Sequence, residues 1–275
     1  MITSATNGRI KWVVSLMEKA RMRRKEHKYV IEGVRMFLEA PADAITEVYV
    51  SETFLKRAGV KGSQEEACMQ RIKMPHAEVL DVSDDVFRKL SDTVNPQGIL
   101  AVMRMTETVP EQMLAGKRAP LFMILENLQD PGNLGTVLRT AEGAGCDGII
   151  LSRDCVDLYN PKVIRSTMGA IFRVPFFYTD NLTETMEKLK EKGVCIYAAA
   201  LEERAAAYDT YSYKEATAFL VGNEGNGLTQ EVIDAAGKTC YIPMEGKVES
   251  LNASVAAAIL MYEAYRQRRS EITTI

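Results

Sequence analysis

The chain of 275 residues predicts an α/β protein in two parts: a parallel-sheet domain over residues 120–275 and a smaller α/β domain over residues 1–105, joined by a linker at 106–119. Three observations carry this. In the second part, short apolar runs rich in Val and Ile alternate with helix-length segments, as strands buried on both faces of a parallel sheet do. The same alternation recurs over the first hundred residues. Between the two, Thr106-Glu107-Thr108-Val109-Pro110 through Gly116-Lys117-Arg118-Ala119 breaks periodicity with a proline, a glycine and mixed charges.

Taken in order, a helix is expected from Gly8 to Glu18, followed by a basic loop. Then come a strand at 28–32, a helix from Val34 to Glu39, a strand at 46–50, a helix near 65–73 and a strand at 98–102. Beyond the linker, strands are expected at 121–126, 148–151, 174–178, 194–199, 218–221 and 239–242. Helices are expected at 135–143, 161–171, 182–192, 230–236 and 251–269. Ligands of such sheets bind beyond the C-terminal ends of the strands. Three polar loops fall at such ends.

Composition bounds the chemistry. No apolar run approaches the roughly 20 residues needed to cross a bilayer, and Met1-Ile2-Thr3-Ser4 lacks the layout of a secretory signal. Cytoplasmic residence, without a membrane partner, is the expectation. Cys68, Cys146, Cys155, Cys195 and Cys240 are scattered and form no Cys-x-x-Cys, which argues against a disulfide scaffold or structural zinc. The histidines are His27 and His76, so the C-terminal half can hold neither a His-based triad nor a multi-His metal site. No metal is expected.

Charge is uneven. Residues 1–105 hold 17 Lys/Arg against 14 Asp/Glu, whereas the remainder is net acidic. Lys19, Arg21, Arg23, Arg24, Lys25 and Lys28 crowd into ten residues opposed by Glu26 alone, with Trp12 nearby for stacking. Such a cluster reads either as a solvated basic surface or as a phosphate-neutralising RNA contact.

The first polar loop, Asn127 through Gly135, opens a helix carrying Arg139 and Thr140. Asn133 is expected to cap that helix, with Arg139 more than a turn inside it. A guanidinium there serves as a surface charge or holds a phosphate or developing oxyanion in a fixed fork. The second loop, Gly222-Asn223-Glu224-Gly225-Asn226-Gly227-Leu228, is neither Gly-x-Gly-x-x-Gly nor a P-loop, yet its glycines allow close backbone approach. The third runs from Ile242-Pro243-Met244-Glu245-Gly246 to Ser250-Leu251-Asn252, then enters a small-residue helix at Ala253-Ser254-Val255-Ala256. Free amide donors at such a helix start leave room for a ligand beside the main chain. Three loops of one grammar suggest one composite site.

Jointly these segments resemble the SpoU/TrmH-type RNA 2′-O-ribose methyltransferases of the SPOUT class. The matching motifs are Asn133-x-Gly135-x-x-x-Arg139-Thr140, Gly222-x-Glu224-x-x-Gly227-Leu228, and Ile242-Pro243-Met244-x-Gly246-x-x-x-Ser250-Leu251-Asn252-x-Ser254-Val255-Ala256. They stand in the family's order over roughly residues 120–270, and residues 1–105 look like the family's accessory substrate-binding domain. The resemblance implies S-adenosylmethionine as cofactor, a deep C-terminal trefoil knot and a homodimer. It further implies cofactor contacts at Val221, Gly222, Gly227, Ile242 and Leu251, and a catalytic polar set of Asn133, Arg139, Glu224, Ser250 and Asn252. Arg139 would contact the ribose 2′-oxygen and adjacent phosphate, with the other four fixing it and the nucleotide by hydrogen bonds. By the same analogy the substrate is RNA, rRNA in preference to tRNA.

Two rivals are weighed. A nicotinamide oxidoreductase needs Gly-x-Gly-x-x-Gly after its first strand, where this chain has Pro131-Gly132-Asn133-Leu134-Gly135. A non-catalytic RNA-binding or assembly protein retaining the fold is the other, and the intact polar set speaks against it.

Overall fold

A computed structural model describes the chain except for residues 73–76, 107, 109–112, 114–118, 249 and 273–275. In chain order it begins with α1 (Gly8–Glu18), α2 (Ala20–Glu26), β1 (Lys28–Glu32), α3 (Val34–Glu39), β2 (Ile45–Ser51), α4 (Glu52–Ala58), α5 (Gln64–Ile72), β3 (Glu78–Val82), α6 (Asp84–Leu90) and β4 (Ile99–Arg104). Next come β5 (Leu121–Leu125), α7 (Pro131–Gly143), β6 (Gly148–Ser152), α8 (Pro161–Thr167), β7 (Phe176–Thr179), α9 (Leu182–Glu191) and β8 (Cys195–Ala199). The last are β9 (Ala206–Ala207), β10 (Thr217–Val221), α10 (Gln230–Ala236), β11 (Gly237–Tyr241) and α11 (Ala253–Ile272).

The elements form two compact units. One comprises Met1–Thr106 and Asp157–Phe172, the other Glu107–Val156 and Arg173–Ile275. One division falls at residue 106, and most of the stretch expected as a linker, 106–119, lies outside the described residues. Met113, inside that stretch, is buried against Gly148, where any side chain would collide with it.

In the first unit the sheet order is β1-β4-β2-β3, antiparallel except for the β2–β3 pair. Asn7 caps α1 by accepting from Arg9 N at 2.9 Å, and Ile10, Val13 and Leu16 place one face of that helix in the core. Three helices absent from the expectation are each seven residues long. One is α2, read from sequence as a basic loop and stopped by His27 at φ 50. The others, α4 and α6, start at Ser51 and Ser83, whose side chains accept from Phe54 N at 3.1 Å and Val86 N at 3.4 Å. Two turns of helix are too short for apolar periodicity to register, so only the caps announce them. The unexpected strand β3 is largely exposed and lacks inward–outward alternation.

The helix expected at 161–171 also differs. It ends at Thr167, because Met168 adopts φ 52, and it belongs to the first unit. Its anchors explain this: the Tyr159 ring stacks against Tyr29 with centroids 4.4 Å apart, and Arg165 pairs with Asp92 at 2.8 Å.

In the second unit seven parallel strands run in the order β7-β6-β5-β10-β8-β11-β9. β5 and β10 are fully buried along their length, as their unbroken apolar sequences require. The two strands run parallel, with β6 and β7 on one side of this pair and β8, β11 and β9 on the other, so the loops after β5 and β10 leave the same sheet edge side by side. Glu126 N donates to Val221 O at 3.0 Å.

Candidate active site

The loop after β10 closes on itself. Asn223 N donates to Gly227 O and Gly227 N to Asn223 O, both at 3.0 Å, while Asn223 Oδ1 accepts from the amides of Gly225 and Asn226. A Cβ on Gly222 would lie 2.4 Å from the Gly227 carbonyl, so only glycine permits this closure. Asn223 Nδ2 also donates to Asn127 O at 2.8 Å, tying this loop to the one after β5.

Glu224 is thereby aimed at the start of α7. Its carboxylate accepts from Gln129 N at 3.2 Å, Asp130 N at 3.0 Å and Asn133 Nδ2 at 2.9 Å. Burial pushes the Glu224 carboxyl up, but these donors outweigh it and hold the group below the ordinary glutamate range. It is an anion at neutral pH.

The expectation that Asn133 caps α7 is corrected. Asp130 is the cap, accepting from Asn133 N at 2.8 Å, and Pro131 occupies the first helical position. Asp-Pro-Gly was the overlooked signal. Because Asp130 takes the capping role, both ends of the Asn133 amide are free for tertiary bonds. Its Oδ1 accepts from Asn252 Nδ2 at 3.0 Å. The Asn252 Oδ1 in turn accepts from Ser254 N at 2.9 Å and Ser254 Oγ at 2.7 Å, at the start of α11. Backbone donors at one end and a carboxylate at the other leave each amide a single orientation. A relay therefore runs Ser254–Asn252–Asn133–Glu224 across all three loops.

Beside the relay lies a cleft of about 330 Å³. Val221, Gly222, Gly227, Ile242 and Leu251 all line it, with Glu224 and Ser250. Ala199, Leu201, Ala253, Ala256 and Leu260 supply apolar wall. Leu201, missed in the sequence reading, is 72% exposed for a large aliphatic side chain at a cleft rim. Apolar walls around main-chain donors and acceptors suit an adenosyl sulfonium ligand.

Arg139 stands apart. It is exposed on α7, does not line the cleft, and has no hydrogen bond or ion pair among the described residues, so the expected fixation by Asn133, Glu224, Ser250 and Asn252 does not occur within one chain. Ser250 is likewise exposed and without a hydrogen bond among them. Against α7 packs α11, which exposes Val255, Tyr262 and Tyr265.

The basic stretch of the first unit also divides. Lys19, Arg21, Arg24 and Lys25 are exposed. Arg23 is removed from the RNA-binding set: it is 3% exposed, with Asp157 Oδ2 at 2.6 Å and the carbonyls of Leu16 and Met17 at 2.7 and 2.9 Å. Lys28 lies 5.1 Å from the Trp12 ring centroid, covering a face that was expected to stack.

Comparison with known proteins agrees with this geometry. Residues 120–262 match the SpoU rRNA Methylase family, and residues 7–101 match the MRM3-like substrate binding domain. The 23S rRNA (guanosine(2553)-2′-O)-methyltransferase RlmP of Bacillus subtilis is 34% identical over 95% of this chain and 97% of that protein. The 23S rRNA (guanosine-2′-O-)-methyltransferase RlmB of Shewanella oneidensis is 32% identical over 90% of this chain and 100% of that protein. An AdoMet-bound rRNA methyltransferase from Sinorhizobium meliloti superposes with a TM-score of 0.84 at 28% identity, covering 96% of this chain and 97% of that one.

Proposed function

The chain belongs to the SpoU rRNA methylase family, and on that ground we propose that it transfers a methyl group from S-adenosylmethionine to a ribose 2′-oxygen in structured RNA, rRNA rather than tRNA. The observation that carries this is the relay from Ser254 to Glu224, which holds the three loops around the cleft walled by Gly222, Ile242 and Leu251. The trefoil knot of the SPOUT fold and cytoplasmic residence belong to the same reading.

When bound, S-adenosylmethionine supplies a methyl carbon made electrophilic by its sulfonium. Val221, Gly222, Gly227, Ile242 and Leu251 hold it through main-chain and apolar contacts. Asn133, Glu224 and Asn252 keep the loops in register, and Ser250 stays available for the nucleotide. Arg139 orients the ribose 2′-oxygen and neighbouring phosphate and supports the negative charge that builds there. A guanidinium remains protonated, so the proton leaves through phosphate or water. The first unit binds the RNA, with Lys19, Arg21, Arg24 and Lys25 as phosphate contacts.

A homodimer completes the site. Arg139 has no side-chain partner among the described residues, and Val255, Tyr262 and Tyr265 line an exposed face of the neighbouring helix. Arg139 of one protomer then serves the cleft of its partner. Mixing Arg139→Ala with Gly222→Ala protein tests this: turnover absent from either variant should return in mixed dimers, and no recovery would count against a shared site. The activity itself is tested with tritiated cofactor and bulk rRNA or tRNA. Labelled rRNA is expected; RNA retained without label would instead favour the non-catalytic binder.

A further inference from the structure

The first unit contains a cleft of about 270 Å³ that no role above uses. One wall is Val14, Met17 and Glu18 of α1; the others are Lys89, Ser91 and Asp92 after α6, and Asn160, Pro161 and Lys162 at the start of α8. Its charges are unequally committed. Asp92 is paired with Arg165, and Ser91 Oγ is bonded to Glu32. By contrast, the side-chain ammonium groups of Lys89 and Lys162 have no hydrogen bond or ion pair among the described residues. Asn160 Oδ1 accepts from Lys162 N at 2.9 Å, which fixes the amide and leaves its Nδ2 donors unused. Two ammonium groups and the Asn160 amide thus face one uncommitted carboxylate, Glu18, over a floor of Val14, Met17 and Pro161, which leaves the cleft net cationic.

The walls are built in advance. Buried Arg23 binds Leu16 O and Met17 O on one side and Asp157 on the other, three residues before Asn160. One guanidinium thus ties the end of α1 to the segment that leads into α8, and the Tyr29–Tyr159 contact fastens that segment again. Preorganisation of this kind lowers the entropic cost of binding. The cleft also adjoins the basic stretch in sequence, since Met17 and Glu18 directly precede Lys19.

We propose that this cleft holds one nucleotide of the RNA substrate, with Lys89, Lys162 and the Asn160 amide on its phosphate and the apolar floor beneath its sugar or base. The proposal rests on the RNA reading above and adds a specific grip to it. The segment from Asp157 to Phe172 lies in sequence between strands of the catalytic unit, so it lends the RNA-binding unit a wall encoded elsewhere in the chain.

The test is filter binding of the full-length protein to bulk rRNA over a salt series. The Lys89→Ala/Lys162→Ala double variant should bind at least roughly tenfold more weakly. Its log–log salt slope should fall by about 0.7, one single-strand phosphate contact. The arginine pair, Lys89→Arg/Lys162→Arg, should retain wild-type affinity, and alanines at exposed Lys56 and Lys61 should leave it unchanged. Equal losses in the two alanine pairs, or no loss at the cleft, would overturn the proposal. Methyl transfer to rRNA by the wild-type protein is scored separately. Its failure alongside lysine-dependent binding would remove the enzymatic reading and spare the cleft; its success without lysine dependence would do the reverse.

Discussion

Glu224, Asn133 and Asn252 use most of their hydrogen-bonding capacity on one another and on nearby main chain, whereas the guanidinium of Arg139, six residues along α7 from Asn133, bonds to none of the described residues. The first group is a frame: anchored at a helix start and a carboxylate, it stays the same whether or not substrate arrives. The second is a reserve, a charge held in water until a ligand or a second protomer meets it. The first unit repeats the division within ten residues, where Arg23 is a buried clamp and Arg21, Arg24 and Lys25 face solvent. Residues that look equivalent as charges thus separate into structural and functional ones by whether their partners lie in the same chain.

The sharpest way to break that contrast is Arg139→Ala. Turnover should fall about 10²- to 10⁴-fold, the range for removing a transition-state charge contact or a positioning group. Thermal stability and cofactor affinity by calorimetry should hardly change, and a large loss of stability would place Arg139 in the frame after all. Arg23→Ala should do the opposite. Leaving Asp157 unpaired should cost about 3–5 kcal/mol in denaturant unfolding, while Arg24→Ala should stay within about 0.5 kcal/mol. Equal effects of the two would erase the distinction between clamp and surface.

A subtler test uses pH. The folded-state carboxyl of Glu224 is depressed, so its stabilisation is present above the ordinary glutamate value and is lost as pH falls through the lower folded value. Melting temperatures of wild type and Glu224→Gln should accordingly differ at neutral pH and converge in acid. A constant gap would show that the bonds to Asn133 and the Gln129–Asp130 main chain do not depend on charge. The smallest expected effect is Ser254→Ala, which frees one lone pair on the Asn252 carbonyl. It should lower kcat roughly tenfold or less with KM for the cofactor unchanged, and Ser254→Thr should restore it.

The elements longest in the chain were legible in advance. The parallel sheet of the second unit, α1, α7 and α11 show in apolar runs and periodicity, and the three loops announced themselves by glycines and polar residues after buried strands. Short capped helices such as α4 and α6 escaped because two turns bury too few side chains to leave a pattern. The capping of α7 was misread because Asp130 and Asn133 are both acceptable caps, and only the backbone path selects between them.

From residue types alone followed the two-part α/β architecture, the exclusion of histidine-based chemistry from the later half, and the family to which the three motifs belong. These follow from local sequence, because periodicity, caps and motif spacing are properties of neighbouring residues. Only the folded chain decided that Arg23 is buried, that residues 157–172 join the first unit, and that Asn133 bridges Glu224 and Asn252 while Arg139 meets neither. Each of those depends on contacts between residues far apart in the chain, where the cost of burying a charge or orienting an amide is settled by what packs beside it.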